Sequence, residues 1–163
     1  MLVSTRACST AYRGNVSGFT LIQLLSALVI VGILVALALP GFQAYLERAR
    51  QTRAMGGLGE IELVISEFAT ANDGQLPVDL TAVGLGGVAD PWGNAWVYVN
   101  LNLGGAPRTD QDGEPINTNY DLYSLGPDGS TALSLTASES EDDIVRASNG
   151  GFVGVVSDYT RLD

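Results

Sequence analysis

From Phe19 to Leu39 the chain runs for 21 residues without a charged side chain. At about 1.5 Å per residue, a helix over this run is roughly 31 Å long, which matches a bilayer core of ~30 Å. A buried helix of a soluble domain is the alternative, and length and lack of charge argue against it. A secretory signal peptide has a shorter apolar core and small residues at a cut on its far side. Here the far side reads Leu39-Pro40-Gly41-Phe42, a poor cleavage site. Arg6 and Arg13 lie before the run and Arg48, Arg50 and Arg53 after it, so charge alone leaves the orientation open. Pro40 removes a backbone donor and predicts a kink or break at the end of the span.

Beyond Pro40 the pattern turns amphipathic. Phe42, Tyr45, Leu46 and Ala49 recur at helical spacing, and Leu58, Ile61, Ile65 and Phe68 continue it. This predicts one apolar stripe lying on a small domain. Gly56, Gly57 and Gly59 each cost about 1 kcal/mol in a helix interior and predict a local unwinding. Asn72-Asp73-Gly74 ends the helix, with Gly74 suited to a left-handed cap. Residues 75–91 read as loop. Ala95–Val99, Tyr120–Leu125 and Gly151–Val156 read as strands, with a polar loop over 100–119 and a polar stretch over 130–143. The fold class is α+β: a long N-terminal helix, apolar then amphipathic, packed on a small, mostly antiparallel sheet. The expected divisions are a leader over 1–18, a membrane or filament-core helix over 19–40, an amphipathic helix over 41–74 and a sheet domain with an acidic loop over 75–163.

Composition removes several function classes. All 8 basic residues are Arg, against 18 acids. From Phe19 onward 6 Arg face all 18 acids, a side-chain sum of −12 that repels phosphate backbones and disfavours nucleic acid. The chain has no His and a single cysteine, Cys8, outside any expected folded region. Ser–His and Cys–His nucleophilic catalysis are therefore excluded. Adjacent acids such as Asp142 and Asp143 are weak evidence of acid–base work, and a membrane-anchored enzyme or binding domain stays open on composition alone.

Two sets of residues carry a resemblance. The first is Gly18-Phe19-Thr20-Leu21-Ile22 with the apolar run and Pro40. The second is Gln75-Leu76-Pro77, Asp90-Pro91-Trp92-Gly93-Asn94, Tyr120 to Gly129 (YDLYSLGPDG) and Asp142-Asp143-Ile144. Together these resemble the type IV pilin-like family, most closely the major pseudopilins of type II secretion systems. The resemblance implies cleavage between Gly18 and Phe19 by a prepilin peptidase and N-methylation of Phe19. It implies a single-pass subunit of the bacterial inner membrane with its domain in the periplasm. It also implies assembly with itself and other pseudopilins into a helical filament, driven by a secretion ATPase and an inner-membrane platform. A surface type IV pilus is the alternative; the lack of cysteine from Phe19 onward favours the pseudopilus.

The resemblance further implies calcium, with Asp128, Asp142 and Asp143 as carboxylate ligands and the Leu125 carbonyl as a backbone ligand. The chain departs from the family here, because Ser130 to Asp142 is longer and lacks the usual paired glycines. It departs again at residues 145–163, which continue past the shorter pseudopilins, and in the leader, which has no basic pair before Gly18. A fourth departure is Gln23, the fifth residue after the expected cut, where most of the family has a glutamate that neutralises a neighbouring subunit's amine. An amide offers that amine a hydrogen bond but no ion pair.

Overall fold

The structure is a computed structural model and describes residues 18–159. The leader expected over 1–18 lies, except for Gly18, outside the described residues. The chain divides into two compact units, one ending at Phe42 and one beginning at Gln43.

Helix α1 (Leu21–Ala71) has 51 residues and contributes to both units. No break occurs at Pro40: the backbone is helical on either side of it. One lost donor removes one hydrogen bond from a long ladder and leaves the others in place. In the first unit the helix carries its apolar side chains uncovered, with Leu21 81% and Leu37 74% exposed. This segment is long and apolar enough to cross a membrane.

In the second unit Ala54, Leu58, Ile61 and Ile65 form the buried stripe of α1. Burying each of the larger three contributes about 1.5–3 kcal/mol. Tyr45 and Leu46 do not join the stripe, contrary to the sequence pattern, and stay 69% and 41% exposed. The glycines do not unwind the helix either. Gly57 is where Trp96 lies against α1: a Cβ there would be 3.0 Å from the Trp96 indole, while Gly56 and Gly59 face open space.

The sheet contains β1 (Val97–Asn100), β2 (Tyr120–Ser124), β3 (Ile144–Ala147) and β4 (Phe152–Val155). The strands pair in sequence order and every pair is antiparallel. A short helix, α2 (Val156–Tyr159), follows. The two-residue period of the strands sorts their side chains to two faces. Tyr120, Leu122, Ile144 and Val155 meet the buried stripe of α1. Tyr123, Val145 and Ala147 meet Ile116, Leu135 and Val156 on the other face. Covered on both sides, β2 and β3 are buried at every residue. The strand expected near Gly151–Val156 is present as β4, whereas β3 was not anticipated from the sequence.

Candidate functional site: a capped apolar N-terminus and an acidic loop

Gly18, Phe19 and Thr20 precede α1 without regular structure, and Phe19 is 81% exposed. Among the described residues, a Cβ placed on Gly18 would meet nothing within 4 Å.

Thr20 and Gln23 then close the helix start reciprocally. The Gln23 Oε1 accepts the Thr20 backbone N–H at 3.0 Å, and the Thr20 Oγ1 accepts the Gln23 backbone N–H at a longer 3.4 Å. This is a capping box, in which a Thr and a Gln three residues apart satisfy donors that the first turn leaves free. In a membrane such donors are costly to leave bare. The pattern Thr-x-x-Gln was present in the sequence and would have revealed this role for Gln23.

In the second unit the turn at Asp90–Asn94 is tied to the end of β2. Asp90 Oδ1 accepts the backbone N–H groups of Trp92 at 3.0 Å and Asn94 at 2.8 Å. Asp90 Oδ2 accepts the Ser124 hydroxyl, and Asn94 Nδ2 donates to the Gly126 carbonyl at 2.8 Å. The sequence motifs DPWGN and YDLYSLGPDG are thus one hydrogen-bonded structure.

The acidic loop begins there. Gly126 has φ +63°, and a Cβ on it would be 2.6 Å from the Asp142 carbonyl, so only glycine fits this crossing. Asp142 Oδ2 accepts the Asp128 backbone N–H at 3.3 Å, and Asp128 Oδ1 accepts that of Ser130 at 2.8 Å. Burial raises the Asp142 carboxyl above its ordinary range, and the nearby charges of Asp128 and Glu47 add to this. Asp128 and Asp142 therefore meet across the loop.

Asp143 does not join them. It is fully buried, and its Oδ2 lies 2.7 Å from Arg108 Nη2 and accepts the Thr131 hydroxyl at 2.6 Å. Burial pushes its carboxyl up to about 6, against the opposing pull of the Thr131 hydroxyl and the Arg108 charge. The expected ligand set is corrected here. No group of three or more metal-ligating side chains is assembled among the described residues. Calcium takes six to eight oxygens, and two carboxylates with a carbonyl fall short of that while a guanidinium holds the third carboxylate. As arranged, these residues do not fit a calcium ion. Arg108 was missed as a site residue because no local pattern links it to Asp143.

No family model matches the chain, and no solved structure matches it. Curated proteins do. The chain is 30% identical over 132 residues to the type II secretion system core protein G of Escherichia coli (strain K12), covering 69% of this chain and 82% of that protein. It is 29% identical over 140 residues to the core protein G of Pseudomonas aeruginosa, covering 72% of this chain and 87% of that protein. It is 38% identical over 68 residues to the fimbrial protein EcpC of Eikenella corrodens, covering 42% of this chain and 44% of that protein. None of these relatives is described as an enzyme. The chain, with its long N-terminal helix on an antiparallel sheet, belongs to the type IV pilin-like family.

Proposed function

We propose that this chain is a pseudopilin, a structural subunit of a type II secretion pseudopilus. The observation that carries this is coverage. The match to core protein G extends over 82% and 87% of two such proteins. The matches to fimbrial proteins of Eikenella corrodens and Moraxella bovis extend over 44% and 49% of theirs. The absence of cysteine from Phe19 onward supports the same choice, since type IV pilins often close a C-terminal loop with a disulfide.

In this account a prepilin peptidase cuts between Gly18 and Phe19 on the cytoplasmic side of the inner membrane, and Phe19 is N-methylated. The apolar half of α1 holds the subunit in the membrane and the domain lies in the periplasm. The subunit leaves lipid by exchanging it for other apolar helices in a filament core. Exposure to water would cost about 25 cal/mol per Å² of apolar surface, so the helix moves only between apolar surroundings. The secretion ATPase and inner-membrane platform supply the work of assembly.

The second reading, a surface pilus, rests on the fimbrial relatives, whose identity is higher over a shorter stretch. Expression in a secretion host lacking its own core protein G separates the two. Restored export with short periplasmic filaments is the expected result. Long surface fibres without restored export would establish the pilus instead.

A further inference from the structure

Arg108 lies in the segment before β2 and is 1% exposed. Its Nη2 is 2.7 Å from Asp143 Oδ2, and its guanidinium carbon stands 4.3 Å from the centre of the Tyr123 ring. Its backbone N–H donates to Asp121 Oδ2 at 2.7 Å. On the far side of Asp143, Thr131 donates its hydroxyl to the same carboxylate. One buried positive charge therefore joins the segment before β2, strand β2 and both ends of the acidic loop. Among the described residues Asp143 Oδ1, Arg108 Nε and Arg108 Nη1 have no hydrogen-bond partner and Arg108 Nη2 has only its ion-pair contact, so the pair is held by its charges and by Tyr123 more than by a full bonding network.

Neutralising a buried carboxylate and cross-linking the strands around it is what a bound divalent cation does for an acidic loop. Arg108 already does both. A divalent ion approaching Asp143 would have to displace the guanidinium, whose one ion pair among the described residues is with Asp143. Two cations sharing one buried carboxylate repel strongly at low dielectric.

We propose that Arg108 is the built-in counter-cation of this domain, so that the acidic loop is closed without a divalent metal. The domain then folds and holds its loop equally in calcium-rich and calcium-depleted surroundings. This does not depend on whether the filament is a pseudopilus or a surface pilus, because the test uses the unassembled subunit.

Both tryptophans, Trp92 and Trp96, lie in the second unit, so their fluorescence reports its unfolding in the full chain solubilised in detergent. Melting curves taken in excess EDTA and in millimolar calcium chloride should coincide. A melting temperature raised by calcium in the unmodified chain overturns the proposal. In the second arm, Arg108→Met should lower the melting temperature, since it leaves Asp143 buried and unpaired. Adding Asp143→Asn should recover most of the loss. An Arg108→Met chain that melts like the wild type also overturns it. If that single variant does not fold, recovery of a folded chain in the double variant supports the proposal, and the calcium comparison on the wild type still decides it.

Discussion

Arg146 Nε of β3 donates to Glu62 Oε1 of α1 at 2.8 Å, a charged link between sheet and helix. The two partners are not equivalent. Arg146 is 3% exposed, contacts Asn117 Oδ1, Asn119 Oδ1 and the Tyr120 carbonyl through Nη1, and lies 4.1 Å from the Tyr120 ring centre. Glu62 has a side chain 32% exposed. Arg146→Met should therefore cost roughly 3–5 kcal/mol, because it strips a buried network of its cation. Glu62→Gln should cost about 1 kcal/mol. Urea unfolding followed by tryptophan fluorescence checks both, and equal losses would contradict this ranking.

The three helix glycines predict opposite signs. Gly57→Ala places a Cβ 3.0 Å from Trp96 and should destabilise by about 1–3 kcal/mol. Gly56→Ala and Gly59→Ala meet open space and should each stabilise by up to about 1 kcal/mol through helix propensity. Melting temperatures of the three detergent-solubilised variants decide it.

These residues also show what was legible in the sequence. The long helix, β1, β2 and β4 were readable because apolar spacing and β-branched content are local signals. Strand β3 was not. It is four residues long, contains Arg146, and is buried on both faces, so it shows no apolar–polar alternation. The glycines read as weak points because propensity is local, whereas the reason for Gly57 is Trp96, distant in sequence. Asp128 and Asp142 were grouped only through the family resemblance, and the hydrogen bond between them spans 14 residues with no local spacing signal. The fate of Asp143 was set by Arg108, a tertiary partner that no spacing rule reveals.

Alkaline pH should weaken the domain. Burial, with the charge of Tyr120 adding to it, raises the Tyr98 phenol from 10.0 to about 12, and burial also raises Tyr120. Above pH 10 an unfolded tyrosine loses its proton while folded Tyr98 keeps it. The folded state then binds more protons, so stability falls as pH rises from about 10 to about 12. Tyr98→Phe removes the hydroxyl that donates to the Pro77 carbonyl at 2.9 Å and should cost about 1 kcal/mol at neutral pH. Its alkaline decline should be shallower than that of the wild type in melts across this range.

Gln23 has two separable roles. Gln23→Ala opens the capping box and should cost about 0.5–2 kcal/mol of local helix stability, seen as faster amide exchange in the first turn in micelles. Gln23→Glu keeps an acceptor for Thr20 and adds the charge that most of the family carries. It should preserve first-turn protection and increase filament yield. An unchanged yield would mean that pairing with a neighbour's amine is dispensable in this subunit.

The central claim is that the Gly18–Phe19 bond is the point at which a membrane precursor becomes a filament subunit. Mass spectrometry of subunits from purified filaments, made in cells with an active prepilin peptidase, tests it most directly. The account predicts a chain beginning at N-methylated Phe19, and Gly18→Leu should leave uncut precursor in the membrane and no filaments. Assembled filaments whose subunits still begin at Met1 would contradict it.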